Sequence, residues 1–177
     1  MGYATSKDGI HWEKPLFPRS GKPDPQSVSP VKDTNLVLQV PRTCCNSVIL
    51  DYNAPSPDER FRLFASDLFN GTWNCVYRTS PDGLHWSAPL VERRIWGDYA
   101  LVFYNPFRRM WVYEARIHGG AVGRCRAYME NADPRTLAER ISYNYGMKIE
   151  GDSVYWVGAD DLDPRNPDPA YRNMQWQ

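Results

Sequence analysis

Four carboxyl positions in the second half of the sequence have the setting that acid–base chemistry needs. Asp98 stands just before the apolar run Ala100-Leu101-Val102-Phe103, and Asp160-Asp161 follow Val154-Tyr155-Trp156-Val157, so both places flank a predicted strand. Glu114 lies inside another such run, Met110-Trp111-Val112-Tyr113-Glu114-Ala115-Arg116. Two carboxyl groups on opposite sides of an acetal can cleave it, because one protonates the leaving oxygen while the other attacks or activates water. Asp98 with Asp160 or Asp161 is the best pair for that work, and Glu114 is a further acid. Binding roles fall to Arg116 for a hydroxyl or carboxylate, to Trp96 as an aromatic rim beside Gly97-Asp98, and to His118, whose following Gly119-Gly120 permit close approach of a ligand. Each has a plainer reading: Glu114 and Arg116 as an ion pair between sheets, His118 as part of an ordinary hairpin, and most of the aromatics as packing.

The elements that must position these groups come from a repeat. Tyr3-Ala4-Thr5-Ser6-Lys7-Asp8-Gly9-Ile10-His11-Trp12 recurs as Tyr77-Arg78-Thr79-Ser80-Pro81-Asp82-Gly83-Leu84-His85-Trp86, differing only at the second, fifth and eighth places. Asp bonds nearby backbone amides, Gly accepts positive φ, and the Trp packs back under the turn, so each copy is a strand, a tight turn and a return. Asp8, His11, Asp82 and His85 are therefore read as turn residues. A weaker third copy spans Tyr128 to Leu137, where Pro134 to Arg140 can form a short helix capped by Asp133.

Further strands fill the spaces between the copies. Ser47-Val48-Ile49-Leu50, a turn-rich loop from Asp51 to Asp58, and Arg60-Phe61-Arg62-Leu63-Phe64-Ala65 have a counterpart in 100–103, 104–109 and 110–116. Asp51 sits in that loop and reads as a turn residue. Four strands per unit of about 50 residues is the plan of a propeller blade. The predicted fold is all-β, a partial β-propeller with about two complete four-stranded blades plus parts of two others. Its parts are a blade remnant at 1–17, a linker at 18–35, blades at 36–92 and 96–142, the start of a further blade at 147–160, and an irregular tail at 161–177. Since rings close with about four to eight blades, the expectation is a piece of a larger ring, or one that associates through open blade edges.

These motifs resemble a family. Ser-x-Asp-Gly-x-His-Trp followed by Pro, the loop Asp51-Tyr52-Asn53-Ala54-Pro55 before Glu59-Arg60-Phe61, and Gly97-Asp98 leading into Phe103-Tyr104-Asn105-Pro106-Phe107 are similar to the five-bladed glycoside hydrolase superfamily, the clan of invertase-like and arabinanase-like furanosidases. The resemblance implies hydrolysis of glycosidic bonds by paired carboxylates without a cofactor, and an oligosaccharide or polysaccharide as partner. A non-catalytic carbohydrate-binding or scaffold propeller is the alternative. Two of the clan's signatures, Trp-x-Asn-Asp-Pro and Arg-Asp-Pro, are absent, so the acids are carried over by placement alone. The turns also resemble the sialidase Asp-box, with one residue fewer between Asp and Gly.

Composition narrows the partners. Lys plus Arg balances Asp plus Glu at 21 each, which supplies no net field toward nucleic acid, and no apolar run is long enough to span a membrane. Met1 to Asp8 lack a basic segment followed by an apolar stretch, and the compartment stays open. The cysteines Cys44, Cys45, Cys75 and Cys125 have neither Cys-x-x-Cys spacing nor clustered histidines, so no metal site is expected. Cys44-Cys45 read as small buried side chains at a strand start.

Overall fold

Alternation of side chains decides the first sheet. In the computed structural model, which describes residues 1–18, 33–38, 43–69, 71–94, 100–118, 124–141, 153–158 and 162, Thr43–Leu50 (β3), Phe61–Phe69 (β4), Thr72–Ser80 (β5) and Val91–Arg94 (β6) pair antiparallel in that order. Two short strands precede them, Phe17–Pro18 (β1) and Asp33–Thr34 (β2), paired to each other. Leu63, Ala65 and Val76 point to one face and pack against Met1, Leu38 and Trp86. Phe64, Cys75, Tyr77 and Val91 point to the other. Because both faces are covered, every residue of β5 from Asn74 to Ser80 is buried.

A second antiparallel sheet follows: Leu101–Asn105 (β7), Met110–His118 (β8), Arg124–Asn131 (β9) and Val154–Val157 (β10), in that order. The placement of β10 corrects the sequence reading. Val154 and Tyr155 pair with Tyr128 and Ala127 of β9, so this strand completes the second sheet and does not begin a further blade. Its exposed apolar composition was the misleading signal, since an edge strand and a buried inner strand can carry the same residues. The third copy of the repeat is corrected too. Tyr128 to Asn131 finish β9, and Pro134–Arg140 form helix α1, with Asp133 accepting from Thr136 N at 2.6 Å. The expected cap and the proline in the first turn are both present.

The two strong copies have the same conformation. Ser6 and Ser80 each accept from the glycine amide at 2.8 Å, Asp8 and Asp82 accept from the two following amides at 2.8 Å, and both glycines have φ 76°. Trp12 Nε1 and Trp86 Nε1 donate back to Gly9 O and Gly83 O at 3.2 and 3.1 Å. Hydrogen bonds from histidine and the backbone hold the Asp8 and Asp82 carboxyls well below the usual range.

The sheets meet along β3 and β7, where Val102 N donates to Ser47 Oγ at 2.9 Å. Farther out, α1 lies between them against β5, β6, β8 and β9, and its Leu137 and Ala138 join Ile141, Phe64, Tyr77, Trp111 and Tyr113 in one core. Burying a side chain of leucine size contributes about 1.5–3 kcal/mol, so the helix stabilises the packing of the two sheets on each other.

Backbone direction shows which faces meet. Val102 turns its N–H out of its sheet, so its partner Tyr113 directs its own amide toward β9. Arg60, in contrast, turns its carbonyl toward the end of β3, accepting from Asp51 N at 2.8 Å, and Arg62 and Phe64 follow its parity. For L-residues this places Phe64 and Glu114 on corresponding faces of their sheets, and Leu63 and Tyr113 on the opposite ones. Unlike faces of the two sheets therefore meet.

Candidate functional site on the open face of the second sheet

Side chains of β8 that point away from the first sheet are Val112, Glu114 and Arg116, by the same alternation that sends Trp111, Tyr113 and Ala115 inward. On β9 the outward set is Arg126, Tyr128 and Glu130, set by the register Glu114 to Tyr128 and Arg116 to Arg126. Glu114 is only 6% exposed. Its carboxylate accepts from Arg126 Nη1 at 2.8 Å, an ion pair that runs diagonally between neighbouring strands. The expected pairing between sheets is thus replaced by one within a sheet, because Glu114 faces away from the first sheet.

Aromatic groups flank this pair. Phe103 and Trp156, 41% and 52% exposed, line an open cleft of about 260 Å³ together with Glu114, Arg126 and Val157. Trp156 leans on Tyr128, with ring centroids 5.4 Å apart at 54°. Tyr128 donates its hydroxyl to Glu130 Oε2 at 2.5 Å, and Arg108 grips the same carboxylate with Nε at 3.0 Å and with Nη2. Those two donors hold the Glu130 carboxyl below its usual range, while desolvation first, and the neighbouring carboxylate second, push the Tyr128 phenol up. A carboxylate already bonded to a guanidinium is a hydrogen-bond acceptor in a fixed place. Beside a half-exposed indole it suits a ligand that offers hydroxyls on one side and C–H groups on the other.

Two other polar clusters lie inside. Arg62, 3% exposed, donates from Nε to Asp51 Oδ2 at 2.7 Å and from Nη1 to Glu59 at 3.1 Å and to the Tyr77 hydroxyl, with its guanidinium carbon 5.5 Å from the Trp111 ring centre. Asp51 is accordingly a structural anchor, which also accepts from Asn53 N at 3.0 Å. Asp67 is fully buried on the opposite face of the sheet, with Arg78 Nη2 at 3.7 Å and no hydrogen bond of good geometry to either oxygen. Burial pushes its carboxyl up, against the lowering effect of Thr43 and Arg78. Arg62, Asp67 and Arg78 are closed to a substrate by the packing around them, while Glu59 reaches the surface at the edge of its cluster.

Of the residues singled out by sequence, the structure brings Glu114 and Arg116 to one face, and His118 ends β8 opposite Arg124. Trp96, Asp98, Asp160 and Asp161 lie outside the described residues. Sequence reasoning missed Arg126, Phe103, Tyr128 and Trp156. The alternation of Arg124, Arg126, Tyr128 and Glu130 with Cys125, Ala127 and Met129 was the available signal for the first strand of that group. Among the described residues no cluster of three metal-ligating side chains occurs, and no helix is long and apolar enough to cross a membrane. No family model, curated protein or solved structure matches the chain.

Proposed function

We propose that the two sheets are successive blades of a propeller and that the protein acts on carbohydrate, binding an oligosaccharide across the open face of the second sheet. The observation that carries the binding proposal is the cleft in which Phe103 and Trp156 flank the Glu114–Arg126 ion pair. Sugar rings present C–H faces to aromatic groups and hydroxyls to planar polar ones, and this cleft offers both within one small surface. The blade proposal draws support from the contact of the first strands, the helix packed against both sheets, and the meeting of unlike faces.

Hydrolysis is a separate step of the proposal. It needs two opposed carboxyls, whereas Glu114 and Glu130 are each engaged by an arginine on one face. Turnover is therefore assigned to Asp98 with Asp160 or Asp161. A panel of oligosaccharides titrated calorimetrically is expected to give a binder whose affinity falls about tenfold in Trp156→Ala, the loss of ~1.4 kcal/mol, and falls likewise in Glu114→Gln. Affinity unchanged from the parent in both variants refutes the site. Release of reducing ends that is unchanged in Asp98→Asn removes Asp98 from the mechanism.

A second reading rests on a specific observation. The corresponding face of the first sheet is covered by the second sheet, and Leu101, Phe103 and Trp156 leave an apolar strip of the same kind exposed. In that reading another sheet covers the cleft and the chain is a scaffold unit. Concentration-dependent self-association that is abolished by Phe103→Glu, with no glycan bound, selects it.

A further inference from the structure

Adjacent cysteines open β3. Strand pairing is regular from Ser47 to Leu50 and again at Thr43 and Cys44, with a shift of register between Cys44 and Ser47. The shift is a bulge, and within it Cys45 adopts φ 55°, a left-handed conformation that non-glycine residues seldom hold. The consequence is that neighbouring side chains, which normally point to opposite faces of a strand, converge. Cys45 Sγ lies 3.4 Å from Cys44 Sγ, and its thiol donates to it.

From this geometry we infer that Cys44 and Cys45 form an oxidisable dithiol, a modification site that closes to a vicinal disulfide on reaction with a small-molecule disulfide. Both residues are half-buried, and neither is in a disulfide. Closure asks the sulfurs to move from 3.4 Å to about 2.05 Å. Adjacent Cα atoms stand about 3.8 Å apart, below the usual disulfide range of about 4.4–6.8 Å, so the ring is strained. Strained disulfides are readily reduced, which makes the pair reversible in the manner of regulatory disulfides.

Cys75, the other cysteine of this sheet, does not compete. Cys75 lies two strands from Cys44, across Ser66, so their Cα atoms are about 10 Å apart, beyond the reach of about 7 Å. Burial also pushes the Cys75 thiol up to about 12, leaving little thiolate to react. The location of the pair gives oxidation a structural consequence. Ser47, immediately after the bulge, accepts the Val102 amide that joins the two sheets, so closing the ring acts on the segment that carries this junction.

The chemistry is balanced by thiol–disulfide exchange. One thiolate attacks glutathione disulfide and expels a glutathione thiolate, leaving a mixed disulfide. The neighbouring thiolate then attacks the protein sulfur of that bond and expels the second glutathione. Two protons and two electrons leave the cysteines, and the electrons depart on the two glutathione thiols.

The test uses the full chain in its native state, treated with glutathione disulfide, quenched with iodoacetamide and digested with trypsin. Cleavage after Arg42 and Arg60 releases Thr43 to Arg60, which holds Cys44 and Cys45 and no other cysteine. The expected product is this peptide short of two hydrogens and without alkylation, while dithiothreitol before the quench restores two alkylated sites. As an independent measure, the reduced protein is expected to bind one phenylarsine oxide, losing it in C44S and in C45S and keeping it in C75S. Two alkylated cysteines after oxidation, two stable glutathione adducts, a bridge to the peptide holding Cys75, or arsenical uptake indifferent to C44S each overturn the inference.

Discussion

Replacing Arg62 by Met is the sharpest perturbation of the packing between the sheets. The guanidinium is 3% exposed and bonds Asp51, Glu59 and Tyr77 while lying over Trp111. Methionine keeps the aliphatic stem and removes every polar contact. The bond to Asp51 is charge-assisted and contributes about 1.5–3 kcal/mol, and leaving the Tyr77 hydroxyl, 1% exposed, without its donor costs about 1–3 kcal/mol more. Loss of the cation–π contact adds about 0.5–2 kcal/mol. These contributions overlap, so the working figure is that for breaking a buried ion pair, about 3–5 kcal/mol. Against a domain stability of about 5–15 kcal/mol, the expected result is a large fall in the urea midpoint with an unchanged slope. Adding Asp51→Asn to Arg62→Met is expected to recover part of the loss, because it removes the carboxylate left without its partner. A loss below about 1 kcal/mol, the value of an exposed pair, or no recovery in the double variant, refutes the account of this cluster as an enclosed and mutually dependent network.

Gly83→Ala is expected to cost about 1–2 kcal/mol from the left-handed backbone at φ 76°, its Cβ reaching to 3.4 Å from the Phe61 ring, and an unchanged urea midpoint contradicts the turn geometry. Asp133→Ala removes the α1 cap and is expected to cost about 1 kcal/mol, read in the same assay. For Asp67, burial raises the folded-state pKa, so the folded protein holds this proton more tightly than the unfolded chain does. Its contribution to stability is thus present at low pH and lost as pH rises through the raised value. The stability of Asp67→Asn relative to the parent is therefore expected to improve as pH rises from about 3 to neutral, whatever the loss of the Arg78 contact costs at every pH, and a relative stability that improves on acidification reverses the sign and the reasoning.

Local chemistry was legible in the residues themselves. The Asp-Gly turns carry their hydrogen-bond partners within three residues, and Asp133 finds Thr136 N within one helical turn, so both could be read without any knowledge of packing. The first two long strands of the first sheet were legible from the apolar and aromatic residues of 47–50 and 60–65 on either side of a turn-rich loop, although with both faces buried their pattern did not record which side each residue takes.

What tertiary structure alone decided is the choice of distant partners. Val154–Val157 reads as a strand from its own residues, yet joining β9 as an edge depends on backbone groups more than twenty positions away. Glu114 was visible as a charge needing a partner, but that partner is Arg126 because of the β8–β9 register, which sets the outward faces of two strands together. The bulge that turns Cys45 toward Cys44 is likewise a property of how β3 meets β4, since residues on one strand have no reason of their own to break alternation. Period and turn chemistry are encoded along the chain, whereas register and facing are settled only when separate segments compete for the same hydrogen bonds and the same buried surface.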